Sequence, residues 1–297
     1  MDNFQVEIPE VYQIEATNNC NLKCTMCIRK DERVSRPIGY LDPKLVRTMA
    51  DRGDFSGSYF VELQMMGEPF LNPYLPEIIE PLHEVGVKVG MSTNGLLIKG
   101  NMYSIAYLDY LTISIDSADR LKYEEKRQGT SYISVVENIN LLIKTKRAQG
   151  LKLPKIDLQV INMPGEDNLP GLNELVRKMG WEGKVVTRSV PDCFGAYQGR
   201  KYPKKQLKEL CLNPWMSVSV HWNGDVVSCC FAAGDHNIYG NLYERDLKTI
   251  WKTSKVRKEL QENMLKNYNV NNMPCQLCYM RSPVLLHQKM LANWIKE

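Results

Sequence analysis

Histidine is scarce in this chain of 297 residues: only His83, His221, His236 and His287 are present. No two of them stand at a metal-pairing spacing, which argues against a histidine-centred mechanism. Long apolar runs are missing as well. No stretch approaches the roughly eighteen apolar residues of a membrane span, and no basic, apolar signal segment opens the chain. The expectation is a soluble, cytoplasmic protein with no membrane partner. Strong charge of one sign is also absent, the net charge being +4. Lys201, Lys204, Lys205 and Lys208 cluster locally but read as solvated surface, so no nucleic-acid partner is expected. There is no internal repeat or low-complexity tract. An apolar content of 43% is enough for a sizeable core, as one large domain or two.

Cysteine, by contrast, is plentiful at nine residues. Without a secretion signal, that number points to metal or redox use rather than a disulfide framework. Cys20, Cys24 and Cys27 form a compact run directly after an expected strand at 12–16. Three thiolates supply all but one of the ligands of a cubane iron–sulfur cluster and leave one iron open. A structural zinc site would want four closed ligands, and no further Cys or His lies nearby. A loop at the C-terminal end of a strand is also where α/β sheets and barrels keep their active sites. Cys211, Cys229, Cys275 and Cys278 form a second group, leaving Cys193 and Cys230 as extras. Spacing alone lets that second group serve a zinc ribbon as well as an iron–sulfur cluster.

From residue 12 to about 189, apolar β-branched runs at 59–66, 87–92, 110–115, 156–162 and 184–189 alternate with helical periodicity. A helix is expected to start at Asp42 as N-cap with Pro43 in its first turn, and to stop at Gly53. Another spans 131–150, with Ile133, Val136, Ile139, Leu142 and Ile143 on one face. Six strands alternating with helices predict parallel pairing, and six units are too few for a closed eight-fold barrel. The fold class is therefore α/β, an open partial (β/α)6 barrel over 1–190. A Pro-, Gly- and Lys-containing linker is expected at 191–210. A small α+β domain follows over 211–297, with a hairpin at 215–231 turning at Asn223-Gly224-Asp225 and helices at 247–265 and 285–296.

The CxxxCxxC run after a first strand resembles that of the radical S-adenosylmethionine (SAM) superfamily. The resemblance implies that the open iron chelates the amino and carboxylate groups of SAM. It also implies reductive cleavage to methionine and a 5′-deoxyadenosyl radical, with the electron coming from an external donor of flavodoxin or ferredoxin type. The residue before the third cysteine is usually aromatic in that family; here it is Met26, which can supply the same apolar packing. Cys211, Gly224 and Cys229 followed by the CxxC of Cys275 and Cys278 resemble the SPASM or shorter twitch auxiliary-cluster domains. The run GNLYERDLKTIW (240–251) is similar to what those domains carry between hairpin and CxxC. The implied cofactors are one SAM-binding [4Fe-4S] cluster, one auxiliary [4Fe-4S] cluster on four cysteines, and SAM itself. With no cysteine after Cys278, the expectation is the twitch form, as in an enzyme that oxidises an aminocyclitol alcohol during butirosin biosynthesis.

The same resemblance suggests SAM contacts. Gly67-Glu68-Pro69 looks like the motif that holds the SAM amino group, where glycine lets backbone approach a ligand. Ser92 and Asn94 end the third strand, where relatives touch the methionyl part and ribose; alternatively they only make a turn. Ser114 and Asp116 are placed to bind ribose hydroxyls. Arg127 matches an arginine that binds the SAM carboxylate, for which a guanidinium is suited, or it forms a structural salt bridge. Val160 and Ile161 either pack on adenine or belong to the core.

The resemblance fixes cofactors better than substrate. One reading is oxidation of a small polar molecule (a sugar, cyclitol or aminoglycoside), with Arg188 or a carboxylate as base and the auxiliary cluster as electron acceptor. Another is epimerisation, with Cys230 or Cys193 returning a hydrogen atom to the opposite face. A third is modification of a ribosomal peptide. The first expected strand starts at residue 12, so leader binding is expected to need a separate protein. An electron carrier without SAM chemistry is the non-enzymatic alternative.

Overall fold

The computed structural model describes residues 6–30, 32–162, 167–181, 183, 185–189, 211–232, 234–267 and 275. Its strands and helices alternate through β1 (Glu10–Ile14), α1 (Pro43–Asp51), β2 (Phe60–Glu62), α2 (Leu75–Glu84), β3 (Lys88–Thr93), α3 (Met102–Ile105) and β4 (Tyr110–Ser114). They continue through α4 (Arg120–Lys126), α5 (Tyr132–Ala148), β5 (Lys155–Asn162), α6 (Leu169–Lys178) and β6 (Val185–Ser189). Beyond residue 211 come α7 (Asn213–Met216), β7 (Ser217–Val220), β8 (Asp225–Val227), β9 (Ile238–Asn241), α8 (Leu247–Thr253) and α9 (Lys255–Asn267).

Side-chain caps start several of these helices. Asp42 accepts from the Lys44 amide, Asp119 from Lys122, Ser131 from Ser134 and Asp246 from Thr249. Pro43 occupies the first turn of α1, and Gly53 follows it at φ 75°, as expected.

Two helix expectations shift. The buried face of α5 is Val135, Asn138, Ile139, Leu142 and Ile143, whereas Ile133 is 49% exposed. The 3.6-residue period carries Ile133 off the stripe set by residues 135, 139 and 142. The helix expected at 247–265 is two, because Ser254 adopts a non-helical conformation between α8 and α9.

The strands form one sheet in the order β6-β5-β4-β3-β2-β1-β7-β8-β9. From β1 to β6 every pairing is parallel and between sequence neighbours. That is the opened-barrel order, with no reversal of the kind that divides a doubly wound sheet. Right-handed crossovers then put the connecting helices on one face. Val11, Val61, Val89, Met91, Leu111, Ile113, Leu158 and Val160 are buried in the core on that face.

On the other edge of β1, β7 pairs parallel with it, Glu10 opposite Ser217 and Ile14 opposite Val220, with a register shift between Val11 and Gln13. β7, β8 and β9 continue antiparallel around the turn at Gly224 (φ 84°). The expected hairpin is thus present. Its first strand is shortened by α7, which Pro214 starts, and β9 adds a third strand. The linker at 191–210 and the helix at 285–296 lie outside the described residues. Among the described residues, no helix is long and apolar enough to cross a membrane.

Candidate active site

The loop after β1 carries Cys20, Cys24 and Cys27, all half-buried. It is held from three sides. The Lys23 amide donates to the Gln128 carbonyl at 2.9 Å and the Thr25 amide to Lys126 at 2.8 Å, tying the loop to the end of α4. Asn94 Nδ2 donates to Asn21 Oδ1 at 2.8 Å. The Glu68 amide donates to the Asn19 carbonyl at 2.7 Å.

Gly67 lies against the same stretch. A Cβ there would sit 2.5 Å from the Asn19 carbonyl oxygen and closer still to that of Thr17. No side chain fits at that position. The segments that follow β2 and β3 and the end of α4 therefore meet around the cysteine loop, bringing Gly67, Glu68 and Asn94 of the strand-end motifs to it.

The side chains of those motifs are largely engaged with one another. Glu68, 2% exposed, accepts from Thr93 Oγ1 at 2.7 Å, the Asn94 amide at 2.8 Å and the Phe70 amide at 3.3 Å. Burial raises its pKa and those three donors oppose the rise. Glu68 is thus a brace between the ends of β2 and β3, and Pro69 opens the short 3-10 turn behind it.

Asp116, fully buried, accepts from Arg127 Nε at 2.6 Å and from the Ile161 amide at 2.9 Å. Arg127 is 7% exposed. Burial raises the pKa of the Cys24 thiol, and the positive charge of Arg127 opposes that rise. Ser114 is buried, and its carbonyl accepts from the Tyr123 hydroxyl at 3.4 Å. Val160 is a core residue, Ile161 is half-buried, and Met26 is half-buried in the cysteine loop.

Ser92 points elsewhere. Its hydroxyl donates to Glu62 Oε1 at 3.3 Å, while Gln13 Nε2 donates to Glu62 Oε2 at 3.1 Å. Strand alternation puts these three on the face away from the helices, the inner face of the partial barrel. One layer below, Phe60 and Tyr110 stack edge to face at 5.6 Å. Gly90 makes room for that floor, since a Cβ there would come 2.9 Å from Phe60 Cε2. Sequence reading missed this polar layer because each residue is an ordinary polar side chain of a strand, and only the register brings them together.

A second missed group closes the seam between β1 and β7. Glu15 and Arg36 form a buried ion pair at 2.7 Å, and the Trp222 amide donates to Glu15 at 3.3 Å.

In the second cysteine group, Cys211 and Cys229 are half-buried and Cys275 is buried. Cys230, beside Cys229, is half-buried too. Arg188 lies on β6, its backbone in register with Ile161. Cys193 and Cys278 lie outside the described residues.

The radical SAM superfamily model matches residues 14–150, and that of an iron–sulfur cluster-binding domain, SPASM, matches 211–279. This chain is a radical SAM protein with a SPASM domain. It is 28% identical over 176 residues to the GTP 3',8-cyclase of Chlorobaculum tepidum, covering 56% of this chain and 49% of that one. The chain spans about half the length of the curated relatives it matches.

Streptococcus suis SuiB bound to its precursor peptide SuiA shares the fold, with TM-score 0.69 and 14% identity over 93% of this chain and 71% of that one. BtrN in complex with AdoMet and 2-DOIA does so with TM-score 0.56 and 15% identity, over 92% and 93%.

The radical SAM enzyme uses SAM, a SAM-binding [4Fe-4S] cluster and an auxiliary [4Fe-4S] cluster, and the chemistry of the Cys20, Cys24 and Cys27 loop fits the first of these clusters. Burial raises the pKa of the Cys20 and Cys24 thiols, and negative charge on the neighbouring cysteines raises both further. Such a trio is relieved by binding cations. Among the described residues no three potential ligands close on one metal ion. A cubane presents a separate iron to each thiolate, so its ligands stand apart instead of gathering at a point.

Proposed function

We propose that this radical SAM enzyme abstracts a hydrogen atom from a C–H bond of a small polar molecule (a sugar, cyclitol or aminoglycoside) held inside the partial barrel. The reaction proposed is oxidation of an alcohol carbon. The observation that carries this reading is the hydrogen-bonding layer of Gln13, Glu62 and Ser92 over the Phe60–Tyr110 floor. A carboxylate on that wall accepts from hydroxyl or ammonium groups, and the aromatic floor packs the carbon face of a ring.

The same reading assigns Cys20, Cys24 and Cys27 to the SAM-binding cluster, and Cys211, Cys229, Cys275 and Cys278 to the auxiliary one. Bound SAM, with an electron from a flavodoxin- or ferredoxin-type donor, supplies the 5′-deoxyadenosyl radical. Arg127, Asn94 and the backbone at Gly67 border the cysteine loop and are assigned to positioning SAM, with the Glu68 brace keeping Asn94 in place. The substrate's hydrogen atom would leave in 5′-deoxyadenosine and its hydroxyl proton would pass to a base, while the auxiliary cluster, held by its four cysteines, would supply the acceptor for the remaining electron. The product is a ketone, two hydrogens lighter, with one SAM consumed per turnover. The proposal divides the chain into a core at 1–190, a linker at 191–210 and an auxiliary domain at 211–297.

Half-buried Cys230 supports a second reading, epimerisation with a thiol returning the hydrogen atom. Turnover of candidate polyols and aminocyclitols in heavy water separates the two. Oxidation gives a product two mass units lighter with no solvent deuterium at the reacting carbon. An isomeric product carrying one deuterium, lost in Cys230→Ala while 5′-deoxyadenosine still forms, overturns oxidation. Cleavage stimulated only by peptides overturns both.

A further inference from the structure

Tyr239, on β9, is 6% exposed, and its hydroxyl oxygen is buried without a hydrogen-bond partner among the described residues. A buried phenol left unpaired costs about 1–3 kcal/mol, so this one needs a reason. Its surroundings supply one. The strand is entered through Asn237, whose Nδ2 donates to Cys275 Sγ at 3.8 Å. Across the sheet, β8 runs out toward Cys229, its Val227 in register with Ile238.

The ring packs 6.4 Å from that of Trp251, and the Arg257 guanidinium stacks over the other ring of this pair at 4.0 Å. Arg257 Nη1 and Gln261 Nε2 grip the Pro214 carbonyl at 3.1 and 2.8 Å, fixing the segment that starts at Cys211. Burial raises the Tyr239 pKa well above its ordinary value, and negative charge at Cys229, Cys275 and Cys211 raises it further. The phenol is thus a neutral donor on the strand that Asn237 ties to Cys275, next to the strand that leads to Cys229. Arg257 is 2% exposed and has no carboxylate partner among the described residues.

We propose that the Tyr239 hydroxyl donates its hydrogen bond to a sulfur of the auxiliary cluster and thereby raises that cluster's reduction potential. A reduced cluster carries one more negative charge than an oxidised one, so an O–H donor and a buried guanidinium both favour the reduced form. The bond rests on the assignment of the second cysteine group to the auxiliary cluster. Its use, easing acceptance of the substrate's electron, rests on the oxidation proposed above.

The test is a redox titration of anaerobically reconstituted full-length protein, followed by electron paramagnetic resonance after iron has been counted. Tyr239→Phe removes only the hydroxyl. At the wild-type midpoint its auxiliary cluster should shift about tenfold toward the oxidised form, equivalent to about 59 mV for one electron, with the SAM-binding cluster unmoved. Placing 3-fluorotyrosine, a stronger donor, at position 239 should shift the same cluster the opposite way. Two loaded variants that titrate like wild type, or that shift in the same direction, overturn the proposal. If Tyr239→Phe loses one cluster, the fluorotyrosine protein decides alone, an unmoved potential counting against. Zinc at the second cysteine group would overturn this proposal and the auxiliary cluster together. A normal potential shift with no ketone product would overturn only the oxidation.

Discussion

His221 has no exposed surface, and its Nε2 shares a hydrogen bond with the Ala232 carbonyl at 2.9 Å. That contact holds the turn carrying Cys229 and Cys230. Burial, with the Arg36 charge in support, pulls its pKa down to about 3. A depressed histidine pKa means that the unfolded chain binds the proton first. The contribution is complete above the unfolded value of 6.5 and erodes as pH falls from there toward 3. The slope is at most about 1.4 kcal/mol per pH unit. Urea unfolding at pH 7.5 and pH 5.5 should therefore show a larger acid loss for wild type than for His221→Asn, by about 1 kcal/mol. Equal losses in the two proteins would refute a buried neutral imidazole. At this scale the sequence is readable only in part. Cysteine spacing picked out the ligand candidates, but a buried histidine and a surface one look alike on a line of letters. Glu68 is similar: nothing in its tripeptide tells that its carboxylate accepts from Thr93 and Asn94, at the end of the next strand.

At the scale of elements, the site is made by the segments after β2 and β3 and the end of α4 closing on one loop. Gly67 is the tightest of those closures, as a Cβ would strike the backbone oxygens of both Thr17 and Asn19. Gly67→Ala must push the cysteine loop away, and backbone cannot yield as a flexible side chain does. The expected outcome is loss of the first cluster with the second retained, iron falling from about eight to about four per chain. Gly53→Ala is the control, since no atom lies within 4 Å of the added methyl, though its φ of 75° costs some stability. Full iron in Gly67→Ala would show that the loop tolerates displacement. The parallel strands and the α1 cap were readable because hydrophobic period and cap chemistry are local. β9 was not, since four residues, Ile238–Asn241, offer too little alternation to separate strand from turn. Nor was the Asn21–Asn94 contact, which joins residues 73 apart.

For the molecule as a whole, β1 is shared: β2 pairs with one edge and β7 with the other. The buried core is likewise continuous from Val11 through Trp251 to Leu260. Two parts joined by a flexible linker alone could melt separately; a common sheet and core predict one transition. Tryptophan fluorescence and iron–sulfur absorbance should therefore lose their native signals at the same denaturant concentration. Two resolved midpoints would show that the β1–β7 seam opens before either side unfolds.

That seam also limits how such proteins can be recombined. The β7 edge is matched to an irregular partner, β1 shifting register between Val11 and Gln13. It is locked by Glu15, which binds both Arg36 from the loop after the cysteines and the Trp222 amide beyond β7. Trp222 in turn lies on Gly39, where a Cβ would overlap its ring. A graft of 211–267 from a relative would inherit half of this joint and leave Arg36 and Gly39 facing strangers. Domain shuffling at the obvious linker should give misassembled proteins unless Glu15, Arg36, Gly39 and the β1 irregularity travel with the graft, so the evolutionary unit of exchange is larger than the cysteine motif that advertises it.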